Sequence, residues 1–380
     1  MNRPLNQALQ SLPPIPFHMP GHKRNLALLG DDLPWAADAT EIAGLDHLQQ
    51  PTGVLRGLAQ RAAVLWGSRA AYLSVNGSTG AILAGVRALA PPGGEAIIAR
   101  NCHMSVWHAA ELCGLRLVVL EPEWLPAWGI YGAVAQEALD RALAEHPGAA
   151  LCVITSPTYE GVVSRLRCPI PLFVDAAHGA HLPLPVCDLV TISTHKTLPA
   201  LTQTALLHVM SDRVDLPRLE HQLRVFQSSS PSYVLMASVE RCVALLEERR
   251  EALFAAWRRR LEAVGSHAGQ WRNLRLFLPD DRSKLLVQTH FDHADEALRA
   301  RGIEPEYTQG RNLLFLTSPC DTDDMMRRLI EALDEIDRRP PGLPLPPFPR
   351  PPMLSASDFP LSAEYIPCPP GIPLMRAQEG

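Results

Sequence analysis

The chain has 380 residues, of which 47% are hydrophobic and 20% charged, and its formal net charge is −5. This length predicts one large domain with a smaller second one, and the balanced charge argues against both a disordered chain and a nucleic-acid-binding protein. Eight scattered cysteines without a CxxC pair, no apolar run near the ~18 residues of a membrane span and no signal-peptide core predict a cytoplasmic protein with reduced thiols, no membrane contact and no metal site.

The first part of the chain predicts an arm followed by alternating helices and strands. Residues 1–35 are rich in proline and lack clear periodicity, which is typical of an extended arm lying on another surface. From residue 36 onward, apolar residues recur at helical spacing or form short runs bounded by turn residues. The predicted helices are 57–66 and 79–89, and the predicted strands are 96–99, 116–120, 151–155, 172–174 and 189–193. This alternation predicts an α/β large domain, residues 36–264, with a mostly parallel sheet covered on both faces.

A second, smaller unit is predicted after the large domain. A long helix over residues 232–264 leads into an α+β C-terminal domain that spans residues 265–380. Its predicted elements are strands 284–289 and 312–317 and helices 294–301 and 322–337. Residues 340–352 are so dense in proline that they predict a polyproline-like extended segment.

Polar clusters follow three of the predicted strands in the large domain. They read SPTYEG at 156–161, DAAHGAH at 175–181 and THKT at 194–197. Ligands of parallel α/β sheets bind beyond the carboxyl ends of the strands, so we expect these clusters to meet at one site.

Lys196 and Asp175 are the residues in these clusters with the most specific chemistry. A lysine in a partly desolvated, cation-rich site can lose its proton and form a Schiff base. A buried carboxylate beside the pyridine nitrogen of pyridoxal 5′-phosphate (PLP) keeps that nitrogen protonated, so that the ring accepts the electrons of a carbanion. Each residue alone is more common as a surface lysine or a helix N-cap. Asp175 followed by Lys196, each at a strand end, is the pattern of fold-type-I PLP enzymes.

Two further groups of residues are candidates for the same site. Gly77, Ser78 and Thr79 precede or begin the predicted helix 79–89, and N–H groups and hydroxyls at a helix N-terminus bind phosphate well. His103, in NCHMS, can stack on the face of the cofactor. Serine and threonine are also ordinary caps and a single histidine is more often structural, so both assignments depend on the other motifs of the chain.

The order of these motifs resembles that of the bacterial ornithine/lysine/arginine decarboxylase family, within the fold-type-I PLP enzymes. The resemblance is carried by HMPGHK (18–23), SVNGST (74–79), RNCHMS (100–105), SPTYEG (156–161), VDAAHGAH (174–181), STHKTL (193–198), SSSPSYVLMAS (228–238) and PCPPGIPL (367–374). It implies PLP bound to Lys196, with Asp175 at the pyridine nitrogen and His103 stacked on the ring. The further cofactor contacts that it implies are Ser78, Thr79, Ser193 and His195 at the phosphate, Thr158 at the phenolic oxygen, His178 near the ring, and Ser229, Ser230 or Ser232 reaching the phosphate of a second subunit.

The same resemblance implies decarboxylation of a basic amino acid. The substrate would be lysine, ornithine or arginine, and the products CO₂ and a diamine or agmatine, with His103 or Lys196 returning a proton to the α-carbon. Candidates for contacting the distal cation of the substrate are Glu304, Glu306 and Glu364, although carboxylates of this kind are more often simply surface residues.

Three positions depart from the pattern of the family. Met104 stands where lysine is usual, Ala176 where glutamate is usual, and Cys368 where tyrosine is usual. Cys368 matters most for the substrate, because its segment resembles a piece of the active-site lining. Substrate specificity is therefore expected to differ from that of familiar members.

A homodimer is the expected assembly. HMPGHK begins at residue 18, which leaves no room for the N-terminal wing domain that large members use to build decamers, and most fold-type-I sites lie between two subunits. Two other functions stay open. Aminotransferases and other lyases share the Asp and Lys framework, and a non-catalytic regulator of a larger decarboxylase would also keep the fold.

Overall fold

A seven-stranded sheet forms the centre of the large domain in the computed structural model, which describes residues 2–339 and 347–351. The strands of this part of the chain are β1 (Ala70–Ser74), β2 (Glu95–Ala99), β3 (Arg116–Leu120), β4 (Trp124–Leu125), β5 (Ile130–Tyr131), β6 (Ala149–Thr155), β7 (Leu172–Asp175), β8 (Leu189–Ser193) and β9 (Ala205–Val209). The order across the sheet is β1-β9-β8-β7-β6-β2-β3, and β4 pairs with β5 in a separate hairpin. Strands β3, β2, β6, β7 and β8 run parallel, whereas β9 is antiparallel to β8 and β1.

Helices connect these strands. They are α1 (Pro4–Gln10), α2 (Leu26–Leu29), a short 3₁₀ turn (Trp35–Ala37), α3 (Val54–Trp66), α4 (Gly77–Leu89), α5 (Met104–Leu112), α6 (Gln136–Glu145), α7 (Leu216–Phe226) and α8 (Tyr233–Ala268). Helix α4 lies close against the middle of the sheet because Gly85 has no side chain. A Cβ atom there would come within 2.5 Å of the Phe173 ring and 2.8 Å of Leu189. This packing holds the N-terminus of α4 above the carboxyl ends of β7 and β8.

The predicted α/β architecture is confirmed, although two strands of the seven-stranded sheet and both strands of the β4–β5 hairpin are missing from the prediction. All five strands predicted for the large domain are present within one or two residues. Strands β1 and β9 were not predicted. Strand β1 alternates between half-buried and buried positions, and β9 contains the fully buried His208, so neither reads as an uninterrupted apolar run.

The small domain is built on a four-stranded antiparallel sheet of order β10-β11-β13-β12. Its elements are β10 (Leu274–Leu276), β11 (Lys284–Thr289), α9 (Ala294–Arg299), β12 (Tyr307–Gln309), β13 (Asn312–Leu316) and α10 (Asp323–Asp337). The short strands β10 and β12 were not predicted, while the other four elements were. One group of buried residues, including Leu285 and Leu333, joins this sheet to α10 and to the end of α8.

A second apolar cluster brings the two domains together. Leu286, Tyr307 and Leu314 of the small domain pack with Ile130 of the β4–β5 hairpin. Strand β12 therefore lies beside the hairpin and faces the carboxyl edge of the large sheet.

The N-terminal segment differs from the prediction of an extended arm. Pro4–Gln10 form a helix with proline in its first turn, where the missing proline N–H costs nothing. The backbone N–H groups of Leu5 and Asn6 donate to the Glu240 carboxylate of α8 at 2.9 and 2.8 Å. This cap comes from a residue more than 200 positions away, so the local sequence could not reveal it.

The expectations about the cysteines and membrane spans can be compared with the described residues only. The seven described cysteines are free thiols. Within residues 2–339 and 347–351, no helix is both long and apolar enough to cross a membrane. Most of the predicted polyproline-like segment, residues 340–346 and 352, lies outside the described residues.

Candidate active site

A cavity of about 420 Å³ lies at the carboxyl ends of the parallel strands, between the large sheet and the small domain. All the predicted site residues except Ser229, Ser230 and Ser232 line it. They are Gly77, Ser78, Thr79, His103, Thr158, Asp175, His178, Ser193, His195 and Lys196. Ser230 is exposed and lies outside this cavity, where its backbone N–H donates to Ser228 at 3.2 Å.

The Lys196 amine lies 2.8 Å from Nε2 of His178. Burial holds the pKa of the His178 imidazole well below its usual value, and the charges of Lys196 and Lys284 lower it further. His178 is therefore neutral at physiological pH, and its Nε2 can accept a hydrogen bond from the lysine. The ring of Tyr159 covers this pair, with its centre 4.2 Å from the His178 ring and 5.9 Å from the Lys196 nitrogen.

Asp175 ends β7 and lies at the floor of the cavity. Its side chain is only 4% exposed, and one carboxylate oxygen accepts the backbone N–H of Ala177 at 3.1 Å. A carboxylate buried in this way is suited to a cationic partner inside the cavity.

The predicted phosphate end of the cavity combines a helix terminus with hydroxyl groups. Gly77 begins α4 with φ +67°, a left-handed conformation that favours glycine. Its N–H donates to the Gln203 carbonyl at 2.9 Å, so Gly77 shapes the turn and does not supply its amide to a ligand. The Ser78 and Ser193 hydroxyls lie 2.8 Å apart, beside the positive end of the helix dipole.

Two histidines on this side have one ring nitrogen engaged. Nδ1 of His103 accepts the backbone N–H of Ser105 at 3.2 Å, so its Nε2 carries the proton in the neutral ring. Burial lowers the pKa of His103, and the Asp175 carboxylate opposes that shift. Nδ1 of His195 donates to the Thr204 carbonyl at 2.8 Å. Burial lowers the pKa of His195 as well, so His195 donates to a phosphate only if the phosphate itself draws a proton onto the ring.

The SPTYEG segment supplies residues that sequence reasoning missed. The Thr158 hydroxyl accepts the Val162 N–H at 3.1 Å and closes a turn, which places Tyr159 and Glu160 on the cavity wall. Glu160 is 7% exposed and accepts the Tyr307 hydroxyl of β12 at 3.0 Å. Burial raises the pKa of this carboxyl. Sequence analysis placed the SPTYEG segment at the site but did not single out Glu160, because its contact with Tyr307 exists only once the small domain is in place.

Two of the three glutamates proposed from sequence to meet a substrate cation are otherwise engaged. Glu304 binds Arg299 at 2.9 Å on the surface. Glu306 is exposed and accepts the Tyr159 hydroxyl. Neither lines the cavity, whereas Glu364 and Cys368 lie outside the described residues. Among the other unusual positions, Met104 begins α5 and Ala176 is buried next to Asp175.

Residues 347–351 and the β4–β5 hairpin form the outer wall of the cavity. Phe348 donates its N–H to the Pro126 carbonyl at 2.9 Å, and its ring lies against Gly129, where a Cβ atom would be 2.5 Å from the ring. Pro351 then lines the cavity itself. Sequence analysis assigned no role to this contact.

The donor groups of the cavity fit PLP. Three buried polar atoms of lining residues, Asn101 Oδ1, Thr155 Oγ1 and His178 Nδ1, have no hydrogen-bond partner within the described part of the chain. Such atoms are rarely left unsatisfied in a native protein, so they indicate an occupant or ordered water. Lys196, Asp175 and the Ser78–Ser193 hydroxyls provide the amine, carboxylate and phosphate contacts that PLP requires.

The fold is similar to that of solved fold-type-I PLP enzymes. The structure aligns with the Escherichia coli constitutive lysine decarboxylase at a TM-score of 0.72 and 21% identity, covering 89% of this chain and 61% of that one. It aligns with a structure of SPT with PLP at a TM-score of 0.57 and 14% identity, covering 74% and 75%. The chain spans about three fifths of the length of the lysine decarboxylase chain.

Sequence similarity then defines the family. Residues 12–257 match the Orn/Lys/Arg decarboxylase major domain, and the chain belongs to that family. A Bacillus subtilis relative, the uncharacterized protein YaaO, is 30% identical over 421 residues, covering 96% of this chain and 88% of YaaO. An arginine decarboxylase of Bacillus subtilis is 28% identical over 369 residues, covering 85% of this chain and 74% of the relative.

Proposed function

We propose that the protein is a PLP-dependent decarboxylase of a basic amino acid, with the cofactor held by Lys196. The observation that carries this proposal is the Lys196 amine in contact with a neutral histidine, in a cavity that also contains the buried Asp175. A neutral imidazole accepts a hydrogen bond from the amine and adds no positive charge beside it. It therefore helps the lysine to give up its proton and act as a nucleophile.

Other residues of the cavity would bind a charged group of the cofactor or transfer a proton. When bound, PLP supplies an electron sink for the pair left on the α-carbon as CO₂ departs. Asp175 would keep the pyridine nitrogen protonated, and Ser78, Ser193 and the α4 N-terminus would hold the phosphate. A proton is returned to the α-carbon by Nε2 of His103, the nitrogen not engaged by Ser105, or by Lys196.

The position of Glu160 in the cavity supports the proposal that the substrate is a basic amino acid. Asp175 and Glu160 are the acidic side chains among the described residues that line the cavity. Asp175 is assigned to the pyridine nitrogen, which leaves Glu160 to meet a distal ammonium or guanidinium. A carboxylate with a raised pKa ionises readily once a cation lies beside it, because the opposite charge favours the charged form.

An assay with PLP and ornithine, lysine or arginine tests the proposal directly. We expect CO₂ and the corresponding diamine or agmatine from at least one of the three amino acids. Formation of a keto acid in place of the amine would make the protein an aminotransferase. A protein that binds no PLP, or binds it without turnover of any substrate, would contradict the proposal and favour a regulatory role.

We also propose that the catalytic unit is a homodimer. Large apolar side chains of the N-terminal segment are exposed in the single chain, including Phe17 at 96% and Leu28 at 79%, and contact with a second copy would bury them. The exposed Ser230 segment is then available to the second site.

Mixing Lys196→Ala with a variant disrupted at residues 228–233 should restore part of the activity. Light scattering that shows an active monomer or a decamer would contradict the dimer.

A further inference from the structure

Two of the three lysines in the chain contact the same residue, His178, one at its ring and the other at its backbone carbonyl. The lysines are Lys23, Lys196 and Lys284, and the other basic residues apart from histidine are arginines. Lys196 contacts the His178 ring at 2.8 Å, whereas Lys284 donates to the His178 backbone carbonyl at 3.0 Å. His178 belongs to the loop after β7, and Lys284 begins β11 in the small domain.

Lys284 is held in a buried polar cluster that joins the two domains. It is 1% exposed, and its ammonium group also donates to Asp281 at 2.9 Å and to Ser283 at 3.0 Å. The second Asp281 oxygen lies 3.0 Å from Nε2 of His181, three residues after His178. The Asp281 N–H donates to the Gly161 carbonyl at 2.9 Å, at the end of SPTYEG. Lys284 and Asp281 thus hold two loops of the cavity wall from behind.

The charges in this cluster are compensated. Burial alone would raise the pKa of Asp281, but its bonds to His181 and Lys284 hold that pKa below its usual value. Burial lowers the pKa of Lys284, and Asp281 opposes this shift. A buried ion pair of this kind rarely adds much net stability, because desolvation offsets the attraction, so its geometry is the more informative feature.

We propose that Lys284 is a positioning residue of the active site, which fixes the His178 carbonyl from the small domain and thereby keeps the His178 imidazole against the Lys196 amine. Lys284 acts through His178 and does not touch the reacting atoms. This inference depends on the proposed function, because it assumes that Lys196 carries PLP. It assigns the small domain a role in the reactivity of Lys196, beyond forming part of the cavity wall.

A double-mutant cycle tests this coupling. The rate at which added PLP becomes linked to Lys196 is followed by absorbance and by borohydride trapping, for wild type, Lys284→Met, His178→Gln and the double variant. We expect Lys284→Met to slow the linkage on the order of tenfold in the wild-type background and less than about twofold in the His178→Gln background. A side chain with a merely structural role would give equal factors in the two backgrounds.

Arg213→Met is the matched control. Arg213 pairs with the buried Asp188 through two contacts of 2.7 and 2.8 Å, just before the amino end of β8 and away from the cavity. This variant should lower the melting temperature and leave the rate of PLP linkage unchanged. If Lys284→Met does not fold, Lys284→Gln takes its place, since its shorter polar side chain still suits Asp281 but withdraws from the His178 carbonyl.

The outcomes separate the inference from the proposed function. The positioning role alone would be overturned if Lys284→Met slowed PLP linkage by the same factor in both backgrounds. It would also be overturned by a Lys284 variant that links PLP at the wild-type rate. A wild-type protein that links no PLP to Lys196 would overturn both. If Lys284→Met slows PLP linkage much less in the His178→Gln background than in the wild type, the positioning role is supported.

Discussion

The two walls of the active-site cavity are built in different ways. The strand-end wall consists of residues from contiguous motifs of the large domain, such as Ser78 in SVNGST, Asp175 in VDAAH and Lys196 in STHK. The assembled wall consists of Glu160, Tyr307, the β4–β5 hairpin and Pro351. Glu160 and Tyr307 bind each other although they are 147 positions apart.

The two walls are therefore expected to have different roles, one in the reaction and one in substrate selectivity. Parallel strands place their ends at one edge, so short motifs are enough to bring an amine, a carboxylate and hydroxyls together. The assembled wall forms only when the small domain and residues 347–351 pack against the large domain. We therefore expect the strand-end wall to control the reaction and the assembled wall to control which amino acid is used.

Lys196→Ala should have the largest effect, because it removes the amine proposed to hold PLP. Turnover should be abolished while the melting temperature of the cofactor-free protein changes little. In the wild type, borohydride treatment should remove the cofactor absorbance and attach the label to Lys196, which peptide mapping can distinguish from Lys23 and Lys284. A label on either of the other lysines, or an active Lys196→Ala enzyme, would show that the strand-end wall does not hold the reactive group.

Asp175→Asn should have the next largest effect. The amide keeps the shape of the side chain but cannot stabilise a protonated pyridine nitrogen. We expect a loss of about 3 kcal/mol of transition-state stabilisation, on the order of a hundredfold in kcat. Steady-state kinetics at saturating PLP measures it, and a near-normal kcat would mean that another group holds the nitrogen.

Glu160→Gln should affect selectivity more than the reaction itself. Loss of a charge-assisted contact of about 2 kcal/mol would raise KM for the basic amino acid on the order of thirtyfold, with kcat largely retained. KM of the wild type should also fall as the pH rises through the raised pKa of Glu160, because only the carboxylate attracts a cation. The variant should lack this pH dependence.

Glu304→Gln provides the control for Glu160. Glu304 is an exposed carboxylate that pairs with Arg299 and does not line the cavity, so its removal should leave KM close to the wild-type value. If the two variants behave alike, the assembled wall does not recognise the substrate through Glu160.

Phe348→Ala should have the smallest effect. The variant loses the ring that covers Gly129 but keeps the backbone bonds of residue 348 to Pro126 and to the Trp124 indole. We expect a roughly threefold rise in KM with kcat unchanged. Leu278→Ala, which truncates an exposed apolar side chain that does not line the cavity, should change neither constant. A large loss of kcat in Phe348→Ala would place part of the chemistry on the assembled wall.

Most of the large domain could be predicted from sequence because its strands are buried and bounded by turn residues. Strands β7 and β8 are buried at every position, so they appear as apolar runs followed by polar clusters. The helix of Pro4–Gln10 could not be predicted, since Glu240 supplies its cap from a distant helix. Strands β10 and β12, three residues each, are too short to show a period.

The residues of the strand-end wall could be identified from the sequence, because their functional groups lie within short motifs at positions that parallel topology must bring together. The remaining contacts depend on the tertiary structure. It assigned the Gly77 amide to Gln203, placed Glu160 and not Glu304 or Glu306 in the cavity, and set Lys284 behind His178. These contacts join the loops of the large domain to distant parts of the chain. Their partners are selected by the packing of whole domains, for which no local pattern of residues exists.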